Sequence, residues 1–328
     1  MQEITSFMNT LNLRAPAKIN WTLTITGRRP DGYHLLQTVF QSISLADDLR
    51  LTLSSSLDTA QIRCFCRSEG SCAGLRKTDI RAAALNGPSN LAYKAAQLLG
   101  QALEKKNIPC PDMTIHINKR IPLQAGLAGG SSDAAAVLRG FNRMLGNPLS
   151  RKELEGLACR CGSDTLFCLW GGTQWGEGTG NELTPLPSVA GWPLVVVKPE
   201  GGVSTRRAFE AYDKGIDLKT KPDGDCQEWR RVLAHGDKQS VARMMRNSLE
   251  QVSMVLCPAI EEAKEELIKA GCLTALMSGS GSAVFGLVRD KDHQEDVVYR
   301  MREKGFMAVW AVETSGSVRG QDNKNPYI

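Results

Sequence analysis

Residues 18–26, KINWTLTIT, alternate strictly between apolar and polar positions. Ile19, Trp21, Leu23 and Ile25 share one side; Lys18, Asn20, Thr22 and Thr24 share the other. A period of two predicts a strand. Residues 27–32, GRRPDG, have turn chemistry, and residues 35–53 read as further strand. Residues 54–88 lose the period and mix small, polar and charged types, as expected of an extended insertion or hairpin. Ser89 is a predicted cap for a helix carrying Leu91, Ala95, Leu98 and Leu99. Residues 113–117, MTIHI, predict a strand running into PLQAGLAGGSS.

After that glycine-rich stretch the period changes. Ala134, Val137, Leu138, Phe141 and Leu145 fall at helical spacing. Ser131 or Ser132 is the expected cap, with Asp133 in the first turn, and Gly146 and Pro148 end the helix. Ser150 and Glu153 form a capping box for a second helix with Leu154, Leu157, Ala158 and Cys161 on its apolar face. It stops at Gly162, where the segment GSDTLFCLWGG reads as a turn.

From about residue 175 a new unit begins. PLVVVKP (193–199) predicts a buried strand, followed by a Gly turn and a helix starting near Ser204 or Thr205. Residues 214–228 read as a surface loop. Helices are expected near 237–256 and 258–270, the second with Pro258 at its start. The segment CLTALMSGSGSAVFGLV predicts a strand, a Gly-Ser loop, and a strand or helix start. Interleaved strands and helices predict an α+β protein of two domains, 1–174 and 175–328.

Composition narrows the chemistry. The 328 residues suffice for two cores, and a net charge of +5 is small for that length. It suits an anionic small molecule at least as well as nucleic acid, and no Lys/Arg run with interleaved aromatics appears. The ten cysteines are scattered and none lies at zinc-ligand spacing from the four histidines. No apolar run reaches membrane-spanning length, and no signal peptide is apparent, so reduced thiols in the cytoplasm are expected.

Glycines before a helix start let a backbone approach a phosphate, where free N–H groups and the helix dipole meet it. The stretch is neither a Walker A loop, since no Gly-Lys-Ser/Thr follows, nor GxGxxG. Asp164 sits at a helix-to-turn junction between Gly162–Ser163 and apolar Leu166–Phe167; it is a candidate general base, or a turn cap. Lys18 is the one cation on the polar side of its strand and either reaches solvent or pairs with an acid at a substrate. Asn20 projects from the same side. Tyr33 and His34 suit a planar base, through ring stacking and an imidazole edge, or ordinary packing. His116 reads as structural. The Ser278–Ser282 loop could close over a phosphate-bearing substrate.

Together these pieces resemble the GHMP kinases, marked by a PxxxGLGGGSS loop before a helix and a late Gly-Ser loop. Residues 122–132 match except at Ala128, where that pattern has glycine. Within the family the best match is the branch acting on 4-diphosphocytidyl-2-C-methyl-D-erythritol, carried by APAKINWTLTITGRRPDGYHLLQTVFQSI (15–43), SNLAYKA (89–95), CGSDTLFCLWGG (161–172), VVVKPEGGVST (195–205) and LMSGSGSAVFGLV (276–288). The resemblance implies an N-terminal domain like ribosomal protein S5 and a ferredoxin-like C-terminal domain, with substrates in the cleft between them. It implies ATP and Mg²⁺, a small-molecule acceptor, no nucleic-acid or membrane partner, and a monomer or weak homodimer.

By resemblance, Asp164 matches the base and Lys18 its partner. Pro122, Leu123, Gln124, Ala125, Gly126, Leu127, Ala128, Gly129, Gly130, Ser131 and Ser132 match the nucleotide loop, with Asn90 near the ATP base. Asn20, Tyr33, His34, Phe40, Thr205, Phe209 and Gly279 match the acceptor site, and Ser132 is the candidate Mg²⁺ ligand. The alternatives are a relative acting on mevalonate-type acids, homoserine or a sugar, or a non-catalytic ligand sensor. Thr165 and Leu166 stand where relatives commonly have Val-Pro after GSD.

Overall fold

The computed structural model describes residues 9–54, 60–68, 86–215 and 224–317. Its first sheet is built on a long antiparallel pair, β1 (Thr10–Arg28) and β2 (His34–Ser54). β4 (Asp112–Lys119) lies beside β2, and β3 (Ile62–Ser68) pairs with β4 in parallel. Of the segment 54–88, expected to be an extended insertion or hairpin, β3 is the described strand; residues 55–59 and 69–85 lie outside the described residues. Farther along the same edge of β2, β5 (Thr173–Glu177) pairs with residues 38–41, and carries β6 (Glu182–Pro185). The boundary expected at 174 therefore falls inside this sheet, which continues to Pro185.

Helices α1 (Leu91–Glu104), α2 (Gly129–Met144), α3 (Arg151–Cys161) and α4 (Thr165–Trp170) share one core with the sheet, holding Leu99, Ile115, Leu138, Phe141 and Phe167. The Ser150–Glu153 capping box is present. Three expectations at helix ends change. Asn90, not Ser89, caps α1, its Oδ1 accepting from Ala92 N at 2.8 Å. Helix α2 starts at Gly129 after a left-handed Ala128, with no side-chain cap; Ser132 and Asp133 are already inside the helix and buried. The segment after Gly162 winds into α4, because Leu166 and Phe167 find a core to face.

The second sheet runs β11 (Val309–Glu313), β7 (Pro193–Val197), β10 (Val284–Leu287), β9 (Thr274–Met277), all antiparallel. In chain order this is fourth, first, third, second, the ferredoxin-like arrangement. Helices α5 (Thr205–Gly215), α6 (Cys226–His235), α7 (Lys238–Met244), α8 (Glu250–Leu256) and α9 (Ala259–Lys269) intervene between its first and second strands. Helix α10 (Lys291–Glu303) links the third to the fourth. Of the loop expected at 214–228, residues 216–223 lie outside the described residues and α6 begins at Cys226. The single helix expected over 237–256 is two, broken by β8 (Arg246–Asn247), which pairs with Thr22 and Leu23 of β1. Pairing with β1 outweighs the local helical pattern there.

The two sheets share a core. Ile19 and Trp21 of β1 pack with Leu194 and Val196 of β7 and Phe285 of β10. The Trp21 ring meets Phe285 edge-on at 5.7 Å. Burial of a ring this size stabilises by about 2–3 kcal/mol, so the two bodies are held firmly together. The opposite side of β1 is buried as well: Lys18, Asn20, Thr22 and Thr24 are all covered.

Candidate active site

Between β4 and α2 the chain crosses a loop, 120–128, in which Gln124, Gly126 and Ala128 have φ of +51°, +72° and +56°. Alternating backbone hand curls the chain and turns N–H groups inward, forming an anion-binding concavity. The first turn of α2 adds N–H groups with no partner four residues back, at the positive end of a 16-residue helix. Gly126 has a further constraint: a Cβ there would lie 1.9 Å from the carbonyl oxygen of Ser278. That contact is the seam between two loops. Ser278 Oγ donates to Gly126 O at 3.0 Å, and the N–H groups of Ser282 and Ala283 donate to the carbonyls of Gln124 and Ala125.

A cleft of about 390 Å³ opens in front of this seam. Lys18 stands at its floor. Register shifts in the β1–β2 ladder fall between Pro16 and Lys18 and between Asn20 and Thr22, so Lys18–Asn20 is bracketed by irregularities that re-aim side chains. Lys18 Nζ donates to Asn20 Oδ1 at 2.7 Å; Asn20 Nδ2 donates to Thr38 Oγ1 at 2.8 Å; Thr38 Oγ1 donates to Thr22 O at 2.6 Å. The relay fixes the Asn20 amide and the Lys18 position. Lys18 Nζ is 3.5 Å from Asp164 Oδ2, with the lysine side chain 4% exposed and the aspartate 31%. Asp164 precedes α4 but makes no cap bond, which leaves its carboxylate at the cleft. A Cβ on Gly279 would stand 3.1 Å from Lys18 Nζ, so the second loop closes directly on the ammonium.

The structure brings together most of the residues singled out from sequence. Lys18, Asn20, Phe40, Asp164, Thr205, Phe209, Gly279 and residues 122–131 all line the cleft. Phe40 stacks on Phe167 with ring centroids 4.9 Å apart and lies below Lys18. Four residues stand apart from the lining. Asn90 Oδ1 serves the α1 cap, and its neighbour Leu91 faces the cleft instead. Tyr33 is 67% exposed at the end of the β1–β2 turn. His34 stacks on Phe209 at 4.6 Å, beyond the cleft wall. Ser132 Oγ donates to Pro16 O at 2.7 Å within the protein. Of the two serines, Ser131 is the one that lines the cleft.

A buried triad behind the loop was not anticipated. Lys119 donates to Asp133 Oδ2 at 2.8 Å and also to Asp47 Oδ2. Asp47 Oδ1 accepts from the N–H groups of Arg120 and Ile121, at 2.6 and 2.8 Å. The triad thus ties β2, β4 and α2 together where the loop begins. Burial pushes the Asp133 carboxyl up to about 7, against the pull of Lys119 and with a further push from Asp47. Burial opposes the Lys119 charge, but the two carboxylates outweigh it and its pKa is raised. The signal lay in the β4 alternation: Met113, Ile115 and Ile117 share a buried parity with Lys119. A lysine there needs carboxylate partners.

The family model for the GHMP kinases N terminal domain matches residues 90–172, and that for the GHMP kinases C terminal matches 229–306. A 4-diphosphocytidyl-2-C-methyl-D-erythritol kinase of Desulfitobacterium hafniense is 41% identical over 307 residues, covering 93% of this chain and 96% of its own. The chain belongs to the GHMP kinases, in the 4-diphosphocytidyl-2-C-methyl-D-erythritol kinase branch. A branch member from Moorella thermoacetica is 38% identical over 296 residues, covering 90% of this chain and 96% of its own. A crystal structure titled 4-(cytidine 5'-diphospho)-2C-methyl-D-erythritol kinase is 33% identical, with a TM-score of 0.69 over 93% of this chain and all of the other. A mevalonate kinase of L. major shares the GHMP kinase fold, with a TM-score of 0.67 at 16% identity, covering 96% of this chain and 98% of its own.

Proposed function

We propose that this protein transfers the γ-phosphate of ATP to the 2-hydroxyl of 4-diphosphocytidyl-2-C-methyl-D-erythritol, in the non-mevalonate route to isoprenoids. Relatives named for that kinase along nearly the whole chain support the acceptor. The Lys18–Asp164 pair, facing the glycine loop across one cleft, is the observation that carries the chemistry.

Phosphoryl transfer passes through a loose, charge-rich transition state, so catalysis rests on positioning and electrostatics. In this reading the N–H groups of the 122–131 loop and the α2 start hold the triphosphate. Asp164 accepts a hydrogen bond from the 2-hydroxyl and takes its proton as the phosphoryl group arrives. Lys18 keeps the carboxylate in place and puts positive charge beside the transferring group. Asn20 holds Lys18 and offers its amide to the acceptor. Phe209, His34 and Tyr33 serve the cytosine end.

Among the described residues no group of three His, Cys, Asp or Glu could hold a metal ion. The Ser131 hydroxyl and the oxygens of a triphosphate suit Mg²⁺, which takes few protein ligands and keeps waters. When bound, Mg²⁺ neutralises charge on the phosphate oxygens. Ser132, whose hydroxyl donates to Pro16 O, is not among the cleft-lining residues. The nine cysteines among the described residues are all free, which supports a reducing, cytoplasmic setting. No helix among the described residues is long and apolar enough to cross a membrane.

ATP turnover measured with the cytidyl diphosphate acceptor, mevalonate and homoserine tests the reading. Turnover confined to the cytidyl acceptor is expected. Comparable turnover with mevalonate or homoserine would refute it.

A further inference from the structure

Helix α5 carries Thr205, Phe209 and Asp213 at four-residue intervals, so all three lie on one face. The first two line the cleft. Thr205 Oγ1 is 2.9 Å from Ser280 Oγ, which fastens the start of the helix to the second glycine loop. At the other end Asp213 reaches across to the β1–β2 turn. His34 Nε2 donates to Asp213 Oδ1 at 2.7 Å, and Arg28 Nη1 pairs with Asp213 Oδ2 at 3.2 Å. Between these two fastenings the His34 ring lies nearly parallel to Phe209, 24° apart, with Tyr212 edge-on to it at 6.3 Å.

We infer that Asp213 is a positioning residue for the nucleobase end of the acceptor. The inference rests on the cytosine-site reading of His34 and Phe209. Two groups from different bodies, an imidazole on β2 and a carboxylate on α5, meet through one hydrogen bond. A carboxylate only accepts when ionised, so that bond places the ring hydrogen on Nε2 and leaves Nδ1 as the open polar edge. It also holds the imidazole flat against Phe209, so that the two rings present one rigid wall. An imidazole released from Asp213 would turn about its side-chain torsions, and the base would have to order it on binding. Arg28 holds the second carboxylate oxygen and so sets the direction from which the first approaches His34.

Steady-state kinetics on Asp213→Ala, Asp213→Asn, His34→Ala and Phe209→Ala tests this, with each fold checked by thermal unfolding. For a partly exposed charged pair, Asp213→Ala is expected to raise KM for the cytidyl acceptor about fivefold. The KM for ATP and the kcat at saturating acceptor should hold. Asp213→Asn retains an oxygen acceptor for Nε2–H and should recover most of the loss. In His34→Ala, adding Asp213→Ala should cost little more, because the group it positions is gone.

An unchanged acceptor KM in Asp213→Ala overturns the inference. So do equal losses in the Ala and Asn variants, equal rises in both substrates' KM, or full additivity with His34→Ala. The two readings separate cleanly. If His34→Ala and Phe209→Ala raise acceptor KM while Asp213→Ala does not, only the positioning role fails. If none of the three moves it, the cytosine-site reading fails with it.

Discussion

Lys18 Nζ and Asp164 Oδ2 stand 3.5 Å apart, one from a buried strand and one from the exposed lip of a short helix. The asymmetry matters: the cation is fixed from behind by Asn20, while the carboxylate keeps an open side for a substrate hydroxyl. Asp164→Ala should lower kcat by about 10²–10⁴-fold with ATP binding retained, as loss of a general base does. Lys18→Met should lower kcat by roughly 10²-fold. Rapid-quench turnover beside nucleotide titration checks both. A mutant of Asp164 with near-wild-type turnover removes it from the role of base.

The seam between the loops should be intolerant of a methyl group. Gly126→Ala places a Cβ on the Ser278 carbonyl at a backbone angle that L-residues rarely adopt. The expected result is a loss of stability of about 1–3 kcal/mol from overpacking, with additional strain, and weaker ATP binding. Denaturant unfolding and nucleotide titration on the same preparation check it. Unaltered values in both would show that the two loops part without cost.

The paired serines should divide by role. Ser132→Ala strands the Pro16 carbonyl in the interior and should cost about 1–3 kcal/mol of stability with little change in ATP KM. Ser131→Ala should leave stability nearly intact and raise KM for the metal–nucleotide complex. Melting temperature against ATP KM in the two variants distinguishes them, and the reverse pattern would exchange their roles.

The cytosine end should separate from the phosphate end. Removing the Phe209 ring should raise acceptor KM roughly tenfold, as loss of a stacking partner costs about 1–3 kcal/mol, and should spare ATP KM. Tyr33, exposed beside His34, should show a smaller effect in the same direction. Equal changes in both Michaelis constants would remove these rings from base recognition.

Asp133 should make stability depend on pH. Its folded-state pKa of about 7 lies above the ordinary carboxylate value of 3.8. Between those values the folded chain keeps a proton that the unfolded chain has released. Stability from this group is therefore full below pH 4 or so and is lost as pH rises through 7. Denaturant midpoints at pH 5.5 and 8 should show wild type losing stability across that window, and Asp133→Asn losing less. Equal slopes in the two proteins would assign the pH dependence elsewhere.

Much of this was legible in the chain because periodicity and glycine chemistry are local. The alternation in 18–26 placed Lys18 and Asn20 together, and the helical spacing after Gly130 located the nucleotide loop. Errors came where partners lie far away in sequence. Whether Lys18 reaches solvent or pairs with an acid stayed open in the local pattern, because nothing nearby reveals that Asp164 and Gly279 meet it. Residues 237–256 looked like one helix because the β1 edge that claims Arg246 and Asn247 is distant. Asp133 looked like a first-turn acid, although Lys119 draws it inward from another element. Asp213 drew no attention, since its spacing from Phe209 gains meaning only with His34 opposite.

Three carbonyls of the first loop, those of Gln124, Ala125 and Gly126, are satisfied by groups of the second. Neither half of the chain thus owns a finished nucleotide pocket. An isolated N-terminal fragment would present a trough with unpaired acceptors along one rim, whatever the state of its own core. Nucleotide affinity is therefore a gauge of whether the halves have docked. During refolding it should return after secondary structure does, in step with burial of Trp21 against Phe285.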